Sequence, residues 1–185
     1  MENPHFISNR PETDATARPS LWLRTAVFFL VVPGTVLVAA PAALVASGLG
    51  PRRHLGAWRW LGAALVSAGA LVILRCFADF VRRGRGTPAP YDPPRELVVS
   101  GLYRHTRNPQ YLAVLAVVCG EAVLTGAPVL LGYAAALAVG YHAFVMRYEE
   151  PALRRLFGDA YARYCAAVPR WLPLRPWLSN PRRSA

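Results

Sequence analysis

The sequence predicts an all-α fold, a polytopic membrane helix bundle of about four transmembrane helices with a helical hairpin and a C-terminal amphipathic helix. Composition is the first reason, because 54% of the 185 residues are hydrophobic and only 17% are charged, whereas soluble domains carry about 25%. Patterning is the second, because the apolar residues form long blocks typical of membrane spans. The net charge of +11 comes entirely from arginines beside these blocks, as in membrane proteins with basic cytoplasmic loops.

The charge and the cysteines limit the partners that we expect. A basic chain can bind nucleic acid, but here no separate polar domain carries the arginines, so the expected partner is the lipid bilayer and not nucleic acid. Cys76, Cys119 and Cys165 are far apart and form no C-x-x-C pair. We therefore expect no disulfide framework and no metal site, and we interpret the cysteines as small packing residues.

The N-terminal part of the chain divides into a tail and a first pair of spans. Residues 1–20 are polar and contain three prolines without periodicity, so we interpret them as a disordered tail. Residues 21–81 contain the first two predicted transmembrane helices. The first, about Thr25–Gly50, has no charged residue and exceeds the roughly 20 residues that a bilayer crossing requires. Pro33 and Pro41 are expected to kink it.

The second predicted span, about Trp60–Val81, carries two charged residues near its end. Arg75 and Asp79 are four residues apart and can therefore share one helical face. The simpler interpretation is an ion pair near the interface, with the arginine reaching toward water. The alternative is that one of the two lines a polar cavity.

Residues 82–173 are predicted to form a connector, a transmembrane hairpin and the C-terminal helix. The connector contains G-T-P-A-P-Y-D-P-P, which is too proline-rich for a helix. It ends at Asn108-Pro109, because the residue before proline avoids helical geometry and proline suits the first helical position. Residues 174–185 are interpreted as a C-terminal tail.

The hairpin is predicted from a long apolar stretch with a turn in its middle. Residues 108–146 contain one charge, that of Glu121, and the stretch is too long for one span and about right for two joined tightly. Gly126-Ala127-Pro128 supplies the turn. The third span, about Pro109–Leu124, is short for a full crossing, and the fourth is about Pro128–Tyr148. For Glu121, near the turn, a structural role is favoured over a functional one.

An amphipathic helix is predicted after Glu149. Apolar side chains fall near one face, with the arginines and an aspartate elsewhere. This pattern is typical of a helix that lies on the membrane surface or against the connector. The apolar set is Leu153, Leu156, Phe157, Tyr161 and Tyr164.

The arginine distribution predicts the orientation in the membrane. With four spans, 17 of the 21 arginines fall on the side that holds both termini and the long connector. Cytoplasmic loops collect arginine, so both termini and the connector should be cytoplasmic. The lysine-free, alanine-rich composition suggests a bacterial source, which makes the cell inner membrane the expected location of this multi-pass protein.

One polar site is predicted where the connector meets the hairpin. The tight turn should bring residues 108–111 against residues 147–150, on the cytoplasmic side of the bundle. Taken singly, the paired acids are explained as carboxylates at a helix N-terminus, and Tyr103 and Tyr111 as interfacial anchors. The convergence of tyrosines, an amide, an arginine and two acids in one place favours a binding site.

Two stretches carry a family resemblance. G-L-Y-R-H-T-R-N-P-Q-Y, from Gly101, and Y-E-E-P-A-L-R-R-L-F-G-D-A-Y-A-R-Y-C-A-A-V-P-R-W-L-P, from Tyr148, together resemble the isoprenylcysteine carboxyl methyltransferase and phospholipid methyltransferase superfamily. The resemblance covers about Gly84–Pro173. It implies an integral-membrane enzyme that depends on S-adenosylmethionine.

The resemblance also implies site residues. Glu149 and Glu150 match the paired acids at the cofactor and acceptor end of the cavity, and Arg147 lies beside them, where it can meet an anionic acceptor. Asn108 stands where better-known relatives have histidine, so it keeps hydrogen bonding but lacks a titratable ring. Leu102 stands where many relatives have proline. The implied cofactor-binding residues are Glu96, Leu97, Val98, Tyr103, Asn108, Pro109, Gln110, Tyr111 and Glu149.

The residue types suit methyl transfer from a sulfonium, a displacement in which positioning dominates. The ring of Tyr103 or Tyr111 can hold the sulfonium cation, and the paired acids can bind the cofactor's ammonium or ribose hydroxyls. Arg107 can pair with the cofactor's carboxylate. The expected catalytic residues are Glu149, Glu150 and Arg147.

The acceptor stays open at this point. We expect a lipid-like or small hydrophobic acceptor with a carboxyl, amine or thiol group, methylated at the cytoplasmic membrane face. A carboxylate needs no general base, whereas an amine must be neutral and must give its proton to a nearby acid. The alternative is a non-enzymatic membrane protein that binds a lipid headgroup or a partner through the same motif.

Overall fold

The computed structural model describes residues 31–79 and 97–172, in which the regular secondary structure is helical, with no strand, as the sequence predicts. The long helices in these ranges are α1, Val31–Ala46; α2, Gly56–Asp79; α3, Pro109–Thr125; and α4, Val129–Ala167. The two predicted tails, at residues 1–20 and 174–185, and the proline-rich part of the connector lie outside the described residues.

The structure contains two helices that are long and apolar enough to cross a membrane within the described residues, α2 with 24 residues and α4 with 39. The described part of α1 and the whole of α3 are apolar but shorter. α3 has 17 residues, which agrees with the short third span that the sequence predicts. Within the described residues, a length sufficient to span a membrane is therefore clear for two helices and not for all four predicted spans.

α2 and α3 pack antiparallel through a seam of glycines. A Cβ atom on Gly62 would lie 2.7 Å from the Gly120 carbonyl oxygen, and one on Gly120 would lie 2.8 Å from the Gly62 carbonyl oxygen. Nearer the connector, a Cβ atom on Gly69 would lie 2.8 Å from the Ala113 carbonyl oxygen. Small residues let helix backbones approach closely within a membrane. The seam therefore fixes the start of α3, and with it Tyr111, against α2.

The hairpin turn and the loop between α1 and α2 meet at one end of the bundle, called the turn end. Gly126 ends α3 with φ 64°, a left-handed conformation that favours glycine. A Cβ atom there would collide with the Arg53 carbonyl. The Arg53 N–H donates to the Gly126 carbonyl at 2.9 Å. The turn is where the Gly-Ala-Pro sequence predicts it.

α1 runs along the hairpin toward the turn end. Its Val45 packs against the cluster around Leu130, at the start of α4. Further back along α1, the Val36 carbonyl accepts a hydrogen bond from the Tyr133 hydroxyl at 3.1 Å. The opposite end of the bundle, where α2 ends and α3 begins, is called the connector end.

Two π segments let the helices continue through prolines. Residues Thr35–Ala39 precede Pro41, and residues Val145–Glu149 precede Pro151. Proline has no N–H to donate within a helix and its ring crowds the preceding turn. A wider turn just before the proline absorbs both effects without ending the helix.

The last helix corrects two predictions. The sequence suggests that the fourth span ends near Glu149 and that a separate helix follows, but the backbone stays helical through Glu149 and Glu150 because the π segment accommodates Pro151. The bend comes instead at Gly158, with φ 50° and ψ −126°. Leu156, which the sequence places on the apolar face of the amphipathic helix, is 54% exposed.

The charged pair at the end of α2 is confirmed as an ion pair. Arg75 Nε lies 3.6 Å from Asp79 Oδ2. The Arg75 side chain is 56% exposed and that of Asp79 only 4%. The pair therefore joins a buried carboxylate to an arginine at the surface of the bundle.

Candidate functional site

The connector is fastened to the end of α2. Val98 and Tyr103 are buried together with Cys76 of α2. Between them, Gly101 has φ 64°, and a Cβ atom on it would lie 2.7 Å from Asp79 Oδ2. Only glycine fits both this conformation and this contact. Asp79 thus packs directly under the turn that leads into the site.

Tyr103 lies inside the protein and not on an open surface. Its side chain is 7% exposed, and its carbonyl accepts a hydrogen bond from the Tyr164 hydroxyl of α4 at 2.8 Å. Burial raises the pKa of the Tyr103 phenol well above its usual value, so it stays neutral. Its ring packs against Cys76 of α2 and its backbone carbonyl binds α4, so Tyr103 holds the connector between the two helices.

The first polar cluster, called the Tyr–Glu site, joins α3 to α4. The Tyr111 hydroxyl donates to Glu149 Oε2 at 2.9 Å. The Tyr111 and Tyr141 rings stack with centroids 4.6 Å apart and an interplanar angle of 28°. A carboxylate therefore lies at the edge of a pair of stacked aromatic rings.

The π segment explains why Tyr141 and Glu149 face the same way. In a regular α-helix, with 3.6 residues per turn, residues eight apart are about 80° out of register. A π turn holds one residue more. Residues eight apart across Val145–Glu149 therefore share a face, as residues about seven apart do in a regular helix.

The surroundings of the Glu149 carboxylate favour its protonated form. It lies just past the apolar part of α4, residues 129–148, and none of the described basic residues lies within salt-bridge distance of it. Burial raises the pKa of Glu149, and the neighbouring Glu150 charge adds to this, although the Tyr111 hydrogen bond opposes it. A carboxylate of raised pKa suits acid–base work near neutral pH.

The second polar cluster, called the Glu150 cluster, has the opposite electrostatics. Arg170 binds Glu150 with two hydrogen bonds, Nε–Oε1 at 2.6 Å and Nη2–Oε2 at 3.1 Å, and Arg107 Nη1 lies 3.1 Å from Oε1. Burial alone would raise the pKa of Glu150, but the Arg170 hydrogen bonds and the Arg107 charge lower it below its usual value. Neighbouring acids with pKa values pushed apart divide their roles.

The connector also holds the residues that follow α4. The Arg107 N–H donates to the Pro169 carbonyl at 2.9 Å. The Arg170 carbonyl accepts from the Asn108 side-chain amide at 2.9 Å and from the Thr106 hydroxyl at 3.2 Å. These bonds fold the end of the described chain over the connector and bring Arg170 to Glu150.

Comparison with known proteins identifies the family. The family model for phospholipid methyltransferase matches residues 57–160, more than half of the chain. The chain belongs to the phospholipid methyltransferase family. The family is part of the integral-membrane superfamily that also holds the isoprenylcysteine carboxyl methyltransferases, so the expected resemblance is confirmed. No curated protein and no solved structure matches the chain significantly.

For this family member, the structure brings together some of the predicted site residues and separates others. Tyr111 meets Glu149, and Arg107 meets Glu150. Arg147 is exposed and Gln110 half-buried, whereas Asn108 and Pro109 are buried in the connector. Leu97 is half-buried and Val98 buried. Glu96 lies outside the described residues.

Sequence reasoning missed Tyr141 and Arg170. Tyr141 was not predicted because, in a regular helix, its spacing from Glu149 would place the two residues on different faces. The one sequence signal for a π segment is the proline at position 151. Arg170 lies in the V-P-R-W stretch, whose prolines and aromatics suggest an interface anchor. Nothing in that stretch points to a carboxylate partner.

The donor set of this family member fits S-adenosylmethionine, the cofactor that the family generally uses. That molecule carries a sulfonium, an ammonium and a carboxylate. The Tyr–Glu site offers aromatic faces and an uncompensated carboxylate to the cations. Arg107 Nε is buried with no hydrogen-bond acceptor among the described residues, so one charged donor remains for a carboxylate.

Proposed function

We propose that the protein is an S-adenosylmethionine-dependent methyltransferase, similar to the isoprenylcysteine carboxyl methyltransferases, that acts on a lipid-like acceptor at the membrane surface. The observation that carries the proposal is the Glu149 carboxylate at the edge of the Tyr111–Tyr141 stack. Aromatic faces with an adjacent carboxylate bind cations. Family membership supports the cofactor as that cation.

The cofactor's charged groups have complementary partners in this proposal. The sulfonium would be held by the rings of Tyr111 and Tyr141 beside the Glu149 carboxylate, and the cofactor's own carboxylate by Arg107 Nε. The Glu150 cluster would position Arg107 rather than touch the cofactor itself. The connector would complete the cofactor site through the residues that the resemblance implies, Glu96, Leu97, Val98, Tyr103, Asn108, Pro109 and Gln110.

An amine acceptor fits the chemistry of Glu149 best. When bound, S-adenosylmethionine supplies a methyl group whose bond to sulfur breaks with the electron pair left on sulfur. Glu149, with its raised pKa, can accept the proton that the attacking nitrogen loses. A carboxylate acceptor would need no such base, and a thiol would need one too. Arg147, exposed at the end of the apolar part of α4, is the candidate contact for an anionic part of the acceptor.

We also propose that the site faces the cytoplasm across an inner membrane. The arginine count supports this orientation, as does the direction of α1, which runs from the connector end to the turn end. In Ser47→Cys, the new thiol, exposed at the turn end, should react with a membrane-impermeant maleimide in intact cells. In Arg104→Cys, the new thiol, exposed in the connector, should react only after lysis. The reverse pattern would overturn the orientation.

The function is tested by cofactor binding and methyl transfer in detergent. Calorimetry should detect S-adenosylmethionine binding to the wild-type protein, and Glu149→Gln should weaken it by roughly tenfold, because the variant loses the negative charge beside the sulfonium. Tyr148→Phe, an exposed tyrosine beside the site, is the matched control and should bind normally.

The acceptor is tested by transfer of radiolabelled methyl groups to extracted membrane lipids. Label in lipids with a primary amine supports the proposal, and label only in acids or thiols overturns the choice of amine. Failure of the wild-type protein to bind S-adenosylmethionine would favour a non-enzymatic role in binding a lipid headgroup or partner. Binding unchanged in Glu149→Gln would reject the site but not the enzyme class.

A further inference from the structure

A groove opens between α1 and the hairpin at the turn end, opposite the Tyr–Glu site. Its volume is about 270 Å³, and its walls are mainly apolar, with Leu37, Val38 and Val45 from α1 and Leu130 from α4. Glu121 of α3 lies among these residues. Apart from this one carboxylate, the apolar walls of the groove suit a hydrocarbon chain.

The Glu121 carboxylate lacks a partner that would explain it. Its Oε2 atom is buried and has no hydrogen-bond donor among the described residues. The nearby Thr125 hydroxyl donates to the Glu121 backbone carbonyl at 2.7 Å, not to the carboxylate. Glu121 also lies in the last turns of α3, where the helix dipole disfavours a negative charge. A buried oxygen of this kind calls for an N–H or O–H donor from a ligand.

Two arginines lie at the rim of the groove. Arg52 Nη2 donates to the carbonyl of Val45, a residue of the groove wall, at 2.8 Å. Arg53 is bonded through its backbone to Gly126, just after Glu121 and Thr125. Both arginines are exposed. The rim is therefore basic, while the groove holds an acid.

We propose that this groove binds a zwitterionic phospholipid with a primary ammonium headgroup. The acyl chain would lie along Leu37, Val38 and Val45, an ammonium N–H would bind Glu121, and the phosphate would meet Arg52. A choline headgroup has no N–H to give, and an anionic headgroup offers Glu121 no cation. The site is separate from the methylation site, because the two lie at opposite ends of the bundle.

Lipid binding to the full-length protein in detergent tests this inference. Native mass spectrometry with dioleoyl phosphatidylethanolamine, dioleoyl phosphatidylcholine and dioleoyl phosphatidylglycerol should show the ethanolamine lipid bound roughly tenfold more tightly than the choline lipid. Glu121→Gln should remove this preference, and Arg52→Gln should weaken all three lipids. Arg59 is an exposed arginine at the start of the long part of α2, and Arg59→Gln should leave the affinity for all three lipids unchanged.

A second variant keeps the test decisive if Glu121→Gln folds poorly. Ala42, exposed on the groove wall, can be replaced by phenylalanine to fill the groove, and Ala42→Phe should weaken binding of all three lipids. Equal binding of the ethanolamine and choline lipids by the wild type overturns the proposal, as does a preference that survives Glu121→Gln or wild-type affinity for the three lipids in Ala42→Phe. A preference lost in Tyr111→Phe instead would assign the lipid to the Tyr–Glu site and reject the groove.

Discussion

Tyr111 and Glu149, 38 residues apart in the chain, are joined by a 2.9 Å hydrogen bond between the phenol and a carboxylate oxygen. This bond links the first turn of α3 to the π segment of α4. It also keeps the ring of Tyr111 stacked on Tyr141. The geometry of the proposed cofactor site therefore depends on two helix features, a start fixed by Pro109 and a widened turn before Pro151.

Removing the Tyr111 hydroxyl should shift the pH dependence of methyl transfer. In the wild type the phenol's hydrogen bond lowers the pKa of Glu149 against the effect of burial, so Tyr111→Phe should raise that pKa further. If Glu149 is the base, the acidic limb of kcat/KM should move to higher pH, and the rate should fall several-fold at neutral pH. Tyr148→Phe serves as the control. An unchanged acidic limb would contradict the role of Glu149 as base.

The two adjacent acids should affect stability with opposite dependence on pH. Glu150 has a lowered pKa, so its stabilisation is present above the ordinary value of 4.5 and is lost as pH falls through the folded-state value. Glu150→Gln breaks a buried ion pair and should therefore lower the free energy of unfolding by about 3 kcal/mol at neutral pH. Its melting temperature should fall most at neutral pH and least in acid.

Glu149→Gln provides the matched comparison for that experiment. Its raised pKa means that the folded state is favoured below the unfolded value and loses stability as pH rises through the folded value. The variant should therefore gain stability relative to the wild type as pH increases above 4.5. Melting temperatures in detergent between acid and neutral pH check both variants. If the melting-temperature difference from the wild type changed with pH in the same direction for both variants, the division of roles between the two acids would be contradicted.

The glycine seam should be intolerant of side chains. Gly62→Val would put carbon atoms where the Gly120 carbonyl lies, and overpacking costs about 1–3 kcal/mol, so the melting temperature should fall by roughly 5 °C. Gly132→Val is the matched control, because a Cβ atom there meets nothing within 4 Å. Equal effects of the two substitutions would mean that α2 and α3 do not touch as described.

Asn108 should secure the segment around Arg170 over the connector. Its side-chain amide is one of two donors to the Arg170 carbonyl, and Asn108 is 6% exposed. Asn108→Ala should cost about 1 kcal/mol and speed proteolysis near residue 170. Asn108→His keeps a ring N–H donor, so it should lose less stability and be cleaved more slowly than Asn108→Ala. His105→Ala, an exposed neighbour, is the control, and proteolysis at the same rate in all three variants would exclude this role.

Local signals predict the helix boundaries and the meeting of two site residues. The proline after Asn108 gives the start of α3, and Gly126 gives the end, because both residues constrain their own backbone. The short hairpin then requires Tyr111 and Glu149 to be close. These inferences need only short-range sequence information and one tight turn.

The partners within the site could not be predicted in the same way. Arg107 was expected to meet the cofactor, but it also pairs with Glu150, which depends on how the chain after α4 folds back. Tyr141 faces Tyr111 only because a π turn changes the register. Glu149 and Glu150 look alike in sequence, and their opposite pKa shifts arise from which arginines reach them.

The glycine seam between α2 and α3 also limits how a hydrophobic substrate can reach the site. From Gly62–Gly120 to Gly69–Ala113 the two backbones are in contact, and Ile73 is buried with Ala113 just beyond. No acyl chain fits between helices at such a distance. This side of the bundle is closed by the two packed helices, so the lipid acceptor that we propose would have to approach the proposed cofactor site past another helix pair.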